Sequence, residues 1–506
     1  MKAPYFVANG EFFTDYGYIN SDINLKIEDD INQSSYKGSL TMRDFSLGGY
    51  TGEEIFGKVS MNGEVEGSGF TLESANFVLK GHIDQIGVND YDYVNIDTDA
   101  RFAKEYFEGF LQVDDPNLKL TTTGSIDLRE GIDLFNVRAQ LDTARLHVLN
   151  LSDEEFFLHT KLSVDATGLE LDSIEGVARL TDTFIRYREN SLQLDSLMME
   201  SNIYDDRRTI DLNTSLLNAS LIGQFDVTTL IRDMRNLYTE FRLNFENDPE
   251  AIESYYIAKN VEPSDYNIDY NIELLDMDPL FDVFLQDVEV SSNTRLSGSF
   301  ISGYTSILSM RSRPDTLRFR KNYFYGNDLQ LNVSKVSDST NVLAMAYANS
   351  TRQLVSDVDT RDLFIEGIWN DDHIDFELDV DQVAYPNFAR LYGEVDFLQD
   401  RTRIRFAPSN LTILDKAWSI QPSNSIEIRK QYIEVNDLMV SHENQRLAFE
   451  GILSNDSTDV FTIRIDSIKI DNLNTIINQE LSGTINGNAS IRDYYGKTTI
   501  QSEGSL

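Results

Sequence analysis

The chain has no cysteine among its 506 residues. That excludes disulfides, thiolate metal sites and cysteine nucleophiles. Histidine is scarce too: His82, His147, His159, His373 and His442 are scattered, without H-x-H or HExxH spacing, and no metal or catalytic role is expected of them. Basic residues are outnumbered, 43 against 84 acidic, for a formal charge of -41. Nucleic acid needs Lys and Arg to displace its counterions, so it is not an expected partner. Flat binding to an anionic bilayer is disfavoured for the same reason. The bland reading of the charge is a solvated face that keeps a large sheet in solution. No apolar run reaches the roughly 18 residues of a membrane-spanning helix. The start, MKAPYFVANG, lacks the charged and then apolar regions of a signal peptide. Proline totals nine, mostly where turns are expected, as at Pro116, Pro314, Pro386, Pro408 and Pro422.

What is present is alternation. From Glu66 to Leu128 apolar and polar residues exchange places with period two, cut by Asn89-Asp90, by Asp114-Asp115-Pro116-Asn117 and by Gly81, Gly109 and Gly124. That is the grammar of consecutive antiparallel strands. It recurs at Ile23-Leu25-Ile27, Leu40-Met42, Val59-Met61 and Leu162-Val164, and along most of the remaining length. At about ten to twelve residues per strand and turn the chain holds roughly 35–40 strands, more than an open sheet carries without curling or splitting. The expected fold is all-β: a long curled antiparallel β-sheet trough, or repeating β-groove, with a few short covering helices. β-Sandwiches would show clearer linkers, and a parallel β-helix a tighter repeat.

One block breaks the rhythm. In DVTTLIRDMRNLYTEF, Leu230, Ile231, Met234, Leu237, Tyr238 and Phe241 fall at helical spacing, with Asp226 or Thr228 to cap it. DPEAIESYYIAKN has Asp248 as N-cap and Pro249 at the first position. MDPLFDVFLQD from Met277 and NLNTIINQ near Asn472 read as two further short helices. The chain then divides into a groove segment over residues 1–225, a helical insertion or cover over 226–290 and a second groove segment over 291–506. Covering helices are favoured over a plug between the segments. The alternation is already under way in the first residues and still running at TIQSEGSL, so an internal segment of a longer protein is expected.

No catalytic constellation emerges, and neither an enzyme nor a cofactor is expected. DVDTRDLFIEGI begins like a calcium loop but has Asp362 where the turn glycine belongs and Ile368 in place of the final Glu. The other acidic clusters, at Asp205-Asp206, Asp371-Asp372 and Asp375, Asp379 and Asp381, read as solvated turn carboxylates. Phosphate-binding glycine loops and the nucleophile elbow are missing. Asp142-Thr143-Ala144, Asp195-Ser196-Leu197 and Asp466-Ser467-Ile468 have the form of an O-glycosylation acceptor, although turn chemistry accounts for most such triplets.

Two blocks carry a resemblance. N-x-Y-x-Y-x-N-I at Asn89 to Ile96, then F-x-G-F-L-Q-V-D-D-P-N-L at Phe107 to Leu118 and G-S-I-D-L, resemble the central region of TamB-type proteins of the wider AsmA-like group in the form found in Bacteroidota. WSIQPSNSIEIRKQYIEVNDLMVSHENQRLAFEGILS, from Trp418 to Ser454, is similar to a recurring strand pair of that family. The resemblance implies a periplasmic bridge, anchored in the inner membrane and reaching the outer membrane through parts outside this segment. Its groove would shield phospholipid acyl chains and support outer-membrane biogenesis. The alternative is a scaffold for outer-membrane protein assembly with a BamA-like barrel partner; a carbohydrate-active solenoid is a third reading. The candidate groove lining is Val94, Ile96, Phe135, Val137, Leu192, Leu194, Ile210, Leu212, Leu329, Leu331, Phe376, Leu378, Ile433, Val435, Leu447, Phe449, Phe461, Ile463 and Ile465.

Overall fold

The computed structural model describes residues 5–259, 264–284, 287–337, 339–413, 415–470 and 482–505. The helix expected near Asn472 lies outside the described residues. Among these residues the chain forms 33 strands, fewer than the count from turn spacing, because tight turns join strands as long as the 15 residues of Asn190–Tyr204. Every described pairing is antiparallel, as in Tyr5–Thr14 on Gly17–Lys26 and His373–Gln382 on Phe388–Leu398. The residues group into two compact units: Met1–Ile222 with Leu275–Gln286, and Gly223–Leu274 with Asp287–Leu506.

In unit one the strands from Tyr5 to Thr214 pair in chain order. Facing residues form a cross-strand row: Met42, Met61, Ile83, Ile96, Val113, Leu120 and Leu141. Met61, Ile83, Ile96 and Val113 are buried within a cluster that also holds Ile23, Phe45, Val59, Val65 and Leu79. Among the described residues no long helix covers this face, and its side chains pack against one another. The row then changes chemistry: Thr160 and Thr183 are buried and hydroxyl-bonded at 2.8 Å.

Unit one also repeats. Ser35–Ser46, Phe56–Ser68, Asn76–Val88 and Tyr91–Ala103 have counterparts in Leu134–Arg145, Phe156–Thr167, Glu175–Tyr187 and Asn190–Tyr204, each about 99 residues further on. The connecting turns match. Gly69 and Gly168 adopt φ of +78° and +90°, and their N–H groups donate to Ser34 O and Asp133 O. A Cβ at either would meet the carbonyl of Ser74 or Ser173 at 2.1 and 2.2 Å, so only glycine fits. The Asp114–Asn117 turn is locked by Asp115, which is buried and accepts from Tyr91 Oη at 2.7 Å, Asn117 N at 2.7 Å and Val94 N at 3.2 Å. Tyr91, Asp115 and Asn117, three residues of the quoted motifs, are therefore turn architecture.

In unit two, pairing runs from Tyr266–Leu274 through Thr294–Ser302, Thr305–Ser312, Asn322–Val336, Val342–Val355, Val358–Asn370, His373–Gln382 and Phe388–Leu398. The next two layers each split into collinear halves, Arg401–Phe406 with Asn410–Ile413 and Ser425–Arg429 with Lys416–Ile420. Pro408 and Pro422 stand in the breaks, where they interrupt the ladder because proline donates no hydrogen bond. Buried Asn424 bridges the gap, accepting from Phe406 N at 2.8 Å and donating to Phe406 O at 2.9 Å.

Four α-helices are described, besides a 3-10 turn at Ile31–Gln33: α1 (Leu47–Thr51), α2 (Val227–Glu246), α3 (Pro249–Ala258) and α4 (Asp278–Phe284). The last three fall where helical spacing placed them. Asp248 caps α3 by accepting from Ala251 N at 3.2 Å, whereas Asp226 precedes α2 without a side-chain capping bond. The short α1 sits where Gly48-Gly49 had read as a break; Gly52, at φ +81°, ends it. Both α2 and α3 belong to unit two.

Candidate apolar site under helix α2

Helix α2 lies over the apolar face of unit two. Leu230, Met234, Leu237 and Phe241, spaced four, three and four, pack on a row of facing strand residues: Phe300, Leu308, Val333, Ala344, Trp369 and Ile374. The parallel row reads Leu331, Ala346, Gly367 and Phe376. It dips at its centre, because Ala346 and Gly367 carry almost no side chain between two large ones. A Cβ added at Gly367 would meet nothing within 4 Å. The dip opens into a cavity of about 470 Å³. Its floor is Leu308, Leu331, Val333, Ala344, Ala346, Gly367, Trp369 and Ile374, and its wall is Met234, Leu237, Tyr238, Phe241 and Phe245 of α2.

The wall is largely aromatic. Trp369 meets Phe241 edge-on at 5.6 Å, Phe245 at 6.1 Å and Phe397 at 5.4 Å between ring centroids. Its indole N–H is satisfied by Asp371 O at 2.8 Å, so nothing polar projects from it into the cavity. Tyr238 and Phe245 are 69% and 64% exposed and mark the mouth.

The adjoining flank of α2 is pinned by buried charge. Glu240, 3% exposed, receives Lys259 Nζ at 2.7 Å, Lys335 Nζ at 3.3 Å and the hydroxyls of Tyr255 and Tyr256 at 3.1 Å each. Two turns earlier Asp233 accepts from Tyr266 Oη at 3.0 Å and Ser302 Oγ at 3.1 Å. Burial pushes the three tyrosines well above their ordinary range, and the adjacent carboxylates push the same way. Burial lowers Lys335, against the pull of Glu240. At the helix C-terminus Asn247, left-handed at φ +51°, donates to Leu398 O at 2.9 Å and Arg401 O at 3.1 Å. A buried charge leaves its network only at a cost of several kcal/mol, roughly 3–5. The α2 backbone is thereby fixed while its aromatic edge stays open.

The candidate lining residues are distributed over both units. Leu331 lines the cavity; Leu329 is half-buried two residues earlier on the same strand. Phe376 and Leu378 are half-buried three strands further on, with Phe376 directly opposite Gly367. Val435 and Phe461 are buried, and Ile433, Leu447, Phe449, Ile463 and Ile465 half-buried, in three later strands of unit two. In unit one Ile96 is a member of the core row and Leu194 is buried opposite Thr183. Phe135, Val137, Leu192, Ile210 and Leu212 are half-buried. Val94 parts from Ile96, because Asn95 at φ +53° interrupts the alternation and Tyr93 packs on the cluster instead. Strand alternation could not reveal Met234, Leu237, Phe241 and Trp369 as one lining. The usable signals were the α2 apolar stripe and the small pair Ala346 and Gly367. The calcium-loop-like run is a turn at Ser356-Asp357 leading into the Val358–Asn370 strand.

No protein-family model matches the chain, and no curated protein matches it.

Proposed function

We propose that unit two takes an apolar chain, the acyl tail of a phospholipid, in the cavity beneath α2. The observation that carries this is the composition of the lining: Met, Leu, Phe, Val, Ala, Gly, Ile, Trp and one Tyr, with no ionisable side chain other than the Tyr238 hydroxyl at the mouth. The volume lies in the span of small-molecule sites, about 300–1,000 Å³. Each methylene withdrawn from water gains about 0.8 kcal/mol, so such a site needs shape and dryness rather than a reactive group. The function of the chain on this reading is to carry lipid between membranes as part of a TamB-like periplasmic bridge, with no chemistry performed on the cargo.

The test is recovery of lipid. The purified chain, extracted with organic solvent and examined by native mass spectrometry, is expected to carry phospholipid and to exchange it with vesicles. A chain that never carries lipid and leaves vesicle lipid untouched contradicts the proposal.

A further inference from the structure

On the face of unit two turned away from α2, two neighbouring strands gather a histidine and three carboxylates. His373 and Asp375 stand two apart on one strand and face Asp396 and Glu394 of the next. Period two puts all four side chains on one face, while Ile374 between them packs toward α2. His373 Nδ1 is 2.9 Å from Asp396 Oδ1. Its Nε2 is 3.2 Å from Asp375 Oδ1 and 3.9 Å from Glu394 Oε2. The three ligand atoms offered by His373, Asp375 and Glu394 all lie within 4.8 Å of one another.

We infer that His373, Asp375 and Glu394 form a binding site for a divalent transition metal, zinc above all, with Asp396 orienting the imidazole. Zinc bonds of about 2.0–2.2 Å in tetrahedral geometry place neighbouring donor atoms about 3.3 Å apart. The Nε2–Asp375 separation of 3.2 Å meets that distance, and Glu394 at 3.9 Å meets it after a small side-chain rotation. Asp396 holds the proton on Nδ1 and turns the Nε2 lone pair to the metal, the usual arrangement behind a metal-bound histidine. Arg405 does not block the site. It binds Glu394 through Oε1 at 2.7 Å and Asp396 through Oδ2 at 3.0 Å, leaving Glu394 Oε2 facing the imidazole. Three carboxylates and one guanidinium leave two negative charges, matched to a divalent cation. Asp375 is 71% exposed, so the fourth position opens to water.

Unit one contains the same triplet without the third ligand. In His82-Ile83-Asp84, Ile83 is in the core, His82 Nδ1 is 2.8 Å from Asp97, and Nε2 is 3.7 Å from Asp84. The strand opposite carries Asn95, between the partners Val94 and Ile96, where unit two has Glu394. His82 is therefore the internal control.

The experiment titrates the full chain, stripped with chelator, with zinc alone by calorimetry, and with cobalt by absorption spectroscopy. One saturable zinc site in the micromolar range is expected, together with the visible bands of four-coordinate cobalt. Asp396→Asn is expected to weaken zinc about 10–100-fold, the usual effect of removing such an orienting carboxylate. His373→Ala and Asp375→Asn should abolish the site, and His82→Ala should leave it unchanged. Asp375 is exposed, so Asp375→Asn is expected to leave the fold intact, to be checked by circular dichroism. Absence of saturable binding, binding unchanged in both His373→Ala and Asp375→Asn, or binding lost in His82→Ala overturns the assignment.

Discussion

In unit one the apolar face of the sheet is its own cover: Met61, Ile83, Ile96 and Val113 bury one another across four strands. In unit two the comparable face is covered by α2, and two adjacent positions of the row, Ala346 and Gly367, are left nearly empty. The same alternation thus yields a filled core where every position in the row is large, and a cavity where a helix spans the face above small residues. Strand pattern decides which side chains share a face; side-chain size decides whether that face holds protein or leaves room for a ligand.

The largest break in this comparison comes from the pin that holds α2. Glu240→Ala removes the carboxylate that buried Lys335 and Lys259 share and is expected to destabilise unit two by about 3–5 kcal/mol. Both tryptophans, Trp369 and Trp418, belong to unit two, so urea unfolding followed by tryptophan emission reports it directly. Next, Leu237→Ala and Ile83→Ala remove one buried aliphatic side chain from each unit, and each should cost about 2–5 kcal/mol. A near-neutral Leu237→Ala would mean that α2 does not cover a core.

Alkaline pH gives a smaller, graded effect. Tyr255, Tyr256 and Tyr266 have folded values raised above the unfolded value near 10. Their contribution to stability is complete below that pH and is lost as pH rises above it, because the unfolded chain then releases protons that the folded chain retains. Tyr256→Phe should flatten that decline, read as the urea midpoint between neutral and alkaline pH. The smallest stability effect is expected from Gly367→Leu, within about 1.5 kcal/mol since the added side chain enters open space. The same variant should nevertheless lose bound lipid.

The strands, their antiparallel order and three of the four helices were legible from periodicity, because period two and the α2 stripe are local signals. The division of the interior was not. That Val94 leaves the face of Ile96 depends on a left-handed Asn95, which alternation cannot show. That Glu240 is an anchor rather than a solvated acid depends on Lys259 and Lys335, the latter 95 positions away. His373 likewise had no ligand spacing along the chain, since Glu394 and Asp396 reach it only through strand register.

The central claim is tested most directly by the indole in the cavity. In a Trp418→Phe background, Trp369 is the only tryptophan, excited selectively over tyrosine, and sits in the cavity floor. Titration with phosphatidylcholine brominated on its acyl chains is expected to quench that emission saturably, and Ala346→Leu, which fills the dip, should abolish the quenching. Emission that the brominated lipid leaves untouched, or quenches equally in Ala346→Leu, would contradict an acyl chain in this cavity.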